Sequence, residues 1–275
     1  MKALALIPLL VACGSDPDHT VDAPPGHQDA HVDAPVDARP DAPADAPAGP
    51  TLGLIELTQG TGAGSADSGA DASFGPTAFF GPIVSTDGPC SIYALEQNGL
   101  RYSAGTITIT GGASTVTLDA SGTAPGVSYS PAAAVPKPAY TAGATITFTA
   151  AGGPDVGAFT ASVTAPATLA GYTPPTTMSR SGYTATWTAG SGPGIWVILG
   201  AIDTNSGTGN GVVCRVPDNG SFTVPASTFA MLPSGATTGF AGVARISDMT
   251  KMVGATMATV QAVSYITSGQ VTITN

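Results

Sequence analysis

Strict alternation of threonine with apolar residues constrains this chain more than any other feature. Thr106-Ile-Thr-Ile-Thr110 and Thr145-Ile-Thr-Phe-Thr149 alternate cleanly. Phe159, Ala161 and Val163 share one face, as do Tyr183, Ala185 and Trp187, and the sequence closes on Val271-Thr-Ile-Thr274. A helix repeats about every 3.6 residues and cannot sort such a pattern, whereas a strand repeats every two and puts all the apolar side chains on one side. Threonine suits the other side, because it is β-branched and its hydroxyl tolerates water. Ile195-Trp-Val-Ile-Leu199 is apolar on both faces and reads as a central strand covered on both sides.

The turns agree with strands. Asn98-Gly99, Asn210-Gly211 and Asn219-Gly220 are hairpin signals, since both central positions of a type I′ turn need positive φ. Only Ala226–Leu232 fits a short helical turn, and 248–260 is ambiguous. The expected fold class is all-β, as two tandem immunoglobulin-like β-sandwich domains, with a barrel or β-solenoid as the alternative. Residues 51–275 exceed the roughly 100 residues of one such sandwich. The Pro/Gly-rich stretch 166–175, PATLAGYTPP, is the expected linker, giving domains 51–170 and 171–275. Cys90 followed by Asn98-Gly99, and Cys214 followed by Asn219-Gly220, form a weak internal repeat across that boundary. Residues 60–73, GTGAGSADSGADAS, read as a loop between two strands.

The first 50 residues have another character. Lys2 and the apolar run 3–12 have the layout of a secretory signal, too short for the roughly 20 residues of a membrane span. From Ser15 to Pro50 the unit Asp-Ala-Pro recurs at 22–24, 33–35, 41–43 and 45–47, with eight Asp against one Arg. Such a segment cannot bury enough apolar surface to offset ordering entropy. It reads as a disordered tether, 13–50, biased by proline toward extended chain and reaching up to about 100 Å. His19, His27 and His31 all lie in it and read as polar filler in preference to a loose metal site.

Leu10-Val11-Ala12-Cys13 resembles the lipobox of bacterial lipoproteins, and the Asp-Ala-Pro spacer is similar to those of myxobacterial-type lipoproteins. The resemblance covers residues 1–50. It implies cleavage after a signal peptide of residues 1–12, acylation of Cys13, and an outer-membrane lipid anchor, since Gly14 and not Asp follows the cysteine. Two or more acyl chains hold a protein stably on a bilayer, at about 0.8 kcal/mol per buried CH₂.

Residues 51–275 carry no histidine. Ser-His-Asp and Cys-His nucleophilic machinery and His-ligated zinc therefore have no residues to build on. Gly-x-Ser-x-Gly, Walker and dinucleotide fingerprints do not occur. Ten acids against six bases (Arg101, Lys137, Arg180, Arg215, Arg245, Lys251) give 6 − 10 = −4, without a basic cluster for nucleic acid. Paired-carboxylate hydrolysis needs only two acids. The scattered candidates are Glu56, Asp67, Asp71, Asp87, Glu96, Asp119, Asp155, Asp203, Asp218 and Asp248. Calcium is the better inorganic candidate, at Asp67 and Asp71 and at Asp203 and Asn205, where oxygen donors gather in Gly-rich loops. The second loop fails as an EF-hand because Cys214 stands where the bidentate Glu is required, and both loops read more simply as connections. Trp187 and Trp196 read as core. Cys90 and Cys214 both point inward by pattern and form a candidate disulfide in an exported protein; buried thiols remain the alternative.

The expectation is a non-enzymatic, lipid-anchored envelope protein without cofactor. Its partners would be the membrane, through the lipid, and a protein or glycan ligand, with a role in adhesion, envelope organisation or ligand display. The rival is a carbohydrate-active or other hydrolytic accessory protein using paired carboxylates.

Overall fold

The computed structural model describes residues 51–61, 68–76, 81–94, 100–190, 192, 194–203, 206 and 208–274. Cys13, the signal sequence and the tether lie outside them, as do Asp67, Glu96, Asn98-Gly99 and Asn205.

The alternating segments are strands. Ile107–Thr110 (β5), Val116–Ser121 (β6), Ser128–Pro131 (β7), Thr145–Ala150 (β8) and Phe159–Thr164 (β9) form an antiparallel sheet in the order β7-β6-β5-β8-β9. Ile107, Ile109, Leu118, Ile146 and Phe148 are buried on its inner face. The alternate threonines face outward, where cross-strand hydroxyl pairs form, Thr147 Oγ1 to Ser162 Oγ at 2.9 Å and Thr149 Oγ1 to Thr160 Oγ1 at 3.3 Å.

The remaining strands make one 12-stranded sheet. Thr51–Gly60 (β1), Ser68–Gly75 (β2), Ile83–Asp87 (β3) and Cys90–Ala94 (β4) come from the N-terminal half. Thr177–Ser179 (β10), Gly182–Thr186 (β11), Ile195–Asp203 (β12), Thr208–Val216 (β13), Ser221–Pro225 (β14), Thr238–Val253 (β15), Thr256–Thr267 (β16) and Val271–Thr274 (β17) complete it. Between β14 and β15 lies the single-turn helix Ala226–Phe229 (α1). The main path is β14-β11-β10-β17-β15-β12-β13-β4-β3, and β16, β1 and β2 branch from β15. β12 is flanked by β13 and β15 and so is central in the sheet as expected, but it is not covered on both sides: Trp196 and Ile198 on its outer face are only partly buried. Among the described residues no helix is long and apolar enough to cross a membrane.

Two hydrophobic clusters form the interior. One unites Ile55, Leu57, Ala72, Phe74, Ala258, Val260 and Ala262 of the large sheet with the inner face of the five-stranded sheet. The other gathers Ile92, Tyr172, Met178, Ile195, Val197, Leu199, Val212, Phe229, Val243, Val271 and Ile273. The long hairpin β15–β16 serves both: Ala258 and Val260 lie in the first cluster, Val243 and Ile266 in the second.

This arrangement corrects the domain division expected at 170/171. β1 pairs in parallel with β16, and β4 pairs with β13, so strands from both sides of residue 170 share one sheet within the compact unit Gly49–Asn275. The expected linker 166–175 is packed in place: Leu169 and Tyr172 are buried, Ser264 Oγ accepts from the Leu169 N–H at 2.9 Å, and Thr61 Oγ1 donates to the Leu169 carbonyl at 2.9 Å. The expected loop 60–73 is strand from Ser68 onward. Asn210-Gly211 is not a turn but lies inside β13, with Gly211 opposite Gly200 of β12. The ambiguous 248–260 is the distal half of the β15–β16 hairpin. Asn219-Gly220 is a turn, with Gly220 at φ 96°.

Candidate functional site

Because side chains alternate, whatever does not enter the two cores stands on the outer face of the large sheet, in rows fixed by strand register. One row crosses β2, β1, β16 and β15 as Asp71, Glu56, Gln261 and Asp248. Next to it lie Thr58, Val263 and Ile246, and beyond them Gly60, Tyr265, Ala244, Trp196 and Arg215, reaching β12 and β13. On the other side of the acidic row come Ser73, Leu54, Thr259 and Thr250, then Leu52 with Met257 and Met252 at the hairpin end. This face therefore grades from an aromatic end, through acids, to an exposed methionine pair.

The acidic row is electrostatically unusual. Gln261 Nε2 donates to Glu56 Oε2 at 2.8 Å. Burial pushes the Glu56 carboxyl up to about 7; the Gln261 hydrogen bond opposes this and the Asp71 charge adds to it. Asp71, directly opposite and open to solvent at its edge, is also raised, first by desolvation, against the Ala72 N–H and the Arg101 charge. Gln261 is 3% exposed, and its Oε1 has no hydrogen-bond partner. The Ser73 Oγ on the same face is likewise buried and unpartnered.

At the aromatic end the Arg215 guanidinium lies over the Trp196 ring, 4.6 Å from its centre. Trp196, Arg215, Pro217, Ile246 and Asp248 line a shallow groove of about 410 Å³. Trp196 packs with Ile198, Tyr265, Ala244, Ile246 and Val263 in a small apolar cluster of its own. Asp248 belongs both to the groove and to the acidic row, which makes the two regions one surface.

Beneath this face, Arg245 and Asp218 form a buried ion pair, Nε to Oδ2 2.7 Å and Nη2 to Oδ1 3.3 Å. Trp187 Nε1 donates to Asp218 Oδ1 at 2.8 Å. The guanidinium also donates to the Thr168 and Thr188 carbonyls, each at 3.0 Å, and to that of Ala167 at 3.4 Å. Burial pushes the Asp218 carboxyl up, but Arg245, Trp187 and the Gly190 N–H outweigh it and leave the carboxyl low. This pair holds the 166–170 and 187–190 segments against β15.

The sequence candidates divide. Cys90 and Cys214 stand opposite each other on β4 and β13 and are disulfide-bonded, with Cα atoms 3.8 Å apart. Of the calcium candidates, Asp67 and Asn205 lie outside the described residues; Asp71 is a strand residue of β2, and Asp203 ends β12 and accepts from the Ser206 N–H at 3.4 Å. Among the described residues, no three His, Cys, Asp or Glu side chains gather. Of the scattered acids, Asp87 accepts from Ser227 Oγ and Thr228 Oγ1, both at 2.7 Å, as a local tie to α1. Glu56 and Asp71 are the two acids that cross-strand pairing places face to face. Gln261 and Ser73 were not singled out by sequence, and the available signal was only that Glu56 interrupts the outward run Leu52, Leu54, Thr58 of a strand interior. Trp187 is core; Trp196 faces the outer surface.

No protein-family model matches the chain, and no curated protein matches it.

Proposed function

We propose that this chain is a lipid-anchored cell-envelope protein with a binding or structural role and without catalysis, in which Cys13 carries the acyl chains and residues 13–50 hold the β unit away from the outer membrane. The observation that carries this reading is the change at Pro50–Thr51. An Asp-Ala-Pro tract behind Leu10-Val11-Ala12-Cys13 gives way, without an intervening connection, to β1, which is interior to the large sheet between β2 and β16. The finer architecture in this reading is sandwich-type: the five-stranded sheet covers β1, β2 and β16 through one shared cluster, in immunoglobulin-like fashion.

The binding surface in this reading is the outer face of the large sheet, toward a protein or glycan ligand in the adhesion, envelope-organisation or display role. The Trp196–Arg215 groove offers an aromatic, hydrogen-bonding end to such a ligand. Nucleic acid is not a fitting partner for a unit of net negative charge. One observation favours the rival hydrolase, the Glu56–Asp71 pair, but neither acid lines the Trp196–Arg215 groove or the one beside Pro131 and Lys137. The test is Cys13→Ser: the variant is expected in the soluble fraction and without radiolabelled palmitate, and unchanged membrane fractionation would refute the anchor. Glycan and protein arrays probed with residues 49–275 are expected to show binding without turnover; hydrolysis lost in Glu56→Gln would establish the rival instead.

A further inference from the structure

We infer that Glu56, Asp71, the Gln261 amide oxygen and the Ser73 hydroxyl form a calcium site on the outer face of the large sheet, independent of the lipid anchor and of any ligand at the aromatic groove.

The geometry begins with register. Glu56 and Asp71 are cross-strand partners on β1 and β2, and partners on one face have Cβ atoms about 4.5–5.5 Å apart, where like charges destabilise the pair. Among the described residues neither acid is salt-bridged; the Arg101 charge acts on Asp71 only at a distance. The repulsion between two acids set opposite each other is offset by a proton, a metal ion or a protein cation, and the one such cation among the described residues, Arg101, acts on Asp71 and not on Glu56. The neighbouring atoms distinguish the first two. Gln261 holds Glu56 through Nε2 and leaves Oε1, an obligatory acceptor, buried with nothing to accept from. Ser73, two residues beyond Asp71 on the same face, is 8% exposed with its Oγ unpartnered. Of the four buried side-chain oxygens without a partner among the described residues, these two share a sheet face with the paired carboxylates, and leaving such groups unsatisfied costs stability.

A hard cation satisfies all of them together. Calcium takes six to eight oxygen ligands at about 2.3–2.6 Å in a forgiving geometry, accepting carboxylate, amide and hydroxyl oxygen and completing its shell with water. Magnesium demands a strict octahedron and gives up water reluctantly, which a set spread over three strands serves less well. Zinc prefers nitrogen and sulfur, and the set has neither. Asp71 opens to solvent and supplies the entry path.

The experiment is calorimetric titration of the full chain, stripped with chelator, with CaCl₂ at pH 8, alongside thermal melts with and without Ca²⁺. Saturable binding and a raised melting temperature are expected. Glu56→Gln and Asp71→Asn should each weaken this binding by at least about tenfold, through loss of a charged ligand, while Asp119→Asn on the five-stranded sheet leaves it unchanged. Calcium held by the acidic tether is separable, because it survives Glu56→Gln; heat that persists undiminished in that variant overturns the proposal. Tighter binding of Mg²⁺ than of Ca²⁺ overturns it too. So does an absence of any calcium effect; a Glu56→Gln variant as stable as the parent would then assign the cluster to a proton on Glu56, donated to Gln261 Oε1.

Discussion

Arg245→Met removes one guanidinium and strips partners from a carboxylate and three carbonyls. Asp218 loses both contacts from Arg245 and keeps those from Trp187 and Gly190, and the Ala167, Thr168 and Thr188 carbonyls lose their donor. Both side chains of the pair are nearly inaccessible, at 3% and 2%. Breaking a buried pair from one side costs about 3–5 kcal/mol, because the remaining charge is uncompensated. For a unit of this size, that corresponds to a fall in melting temperature of about 6–20 °C, at roughly 2–4 °C per kcal/mol. Calorimetric melts of the parent, Arg245→Met, Asp218→Asn and the double variant form a cycle. The double variant is expected to be less destabilised than the sum of the singles, since the neutral amide introduced by Asp218→Asn leaves no orphaned charge. Hydrogen exchange should rise first at 166–170 and 187–190. Gly190→Ala tests the same place by steric means, as a Cβ there would lie 2.7 Å from Arg245 Nη2 and 2.9 Å from Asp218 Oδ2. An Arg245→Met variant within about 1 kcal/mol of the parent, or strict additivity in the cycle, would refute the role given to this pair.

Other expectations follow from equally specific contacts. Replacing Cys90 and Cys214 with alanine opens a loop of sequence separation 124; loop-closure entropy puts the loss at about 5 kcal/mol, measurable by urea denaturation, with exchange rising in β3 and β4. In the absence of calcium, Glu56 binds a proton more tightly in the folded chain than in the unfolded one. Its contribution is therefore fully present below pH 4.5 and is lost as pH rises toward about 7, and Glu56→Gln should flatten stability over that window. Asp218 has the opposite sign: its contribution holds above its ordinary value and disappears as pH falls through the lowered folded-state value, so Asp218→Asn should remove a step in acid denaturation. Phe148→Ala in the first cluster should cost about 3–5 kcal/mol by chemical denaturation.

What the sequence disclosed and what it hid separate along a physical line. Alternation names the buried face of a strand, and the five-stranded sheet is almost entirely that: β5–β6, β6–β7 and β8–β9 are neighbours in the chain, and every apolar residue singled out in β5, β8 and β9 is inside. Alternation says nothing about a distant partner. The pairing of Glu56 with Gln261, 205 residues away, follows from β1 lying parallel to β16, which no local pattern encodes. Composition misled where small residues serve close packing. The Gly/Ala/Ser tract after Gly60 reads as a loop, yet Ala70 and Ala72 are core, and a Cβ on Gly53 would lie 2.6 Å from the Phe74 ring. Gly200, opposite Gly211, makes room for the Phe240 ring in the same way. The 166–175 stretch reads as a linker because its own residues offer little; its backbone is satisfied by Arg245, Ser264 and Thr61, all far along the chain.

These observations also explain why the acidic row stands apart. Elsewhere the chain follows one rule closely: apolar inside, threonine outside, with hydroxyl pairs such as Thr250 with Thr259 and Thr184 with Thr223 bridging adjacent strands. Where it buries a charge, at Arg245 and Asp218, it supplies the counter-charge and donors from three segments. Glu56 breaks both halves of that rule. It sits in a strand interior among leucines and threonine, faces another acid, and is given an amide whose remaining oxygen has no donor. A threonine in place of Glu56 would extend the existing pattern, so the pattern itself does not call for this exception. Departures from local consistency concentrate at functional or strained sites, and among metal ions the oxygen-only chemistry of this one suits a hard cation, which the calcium titration sets against a proton.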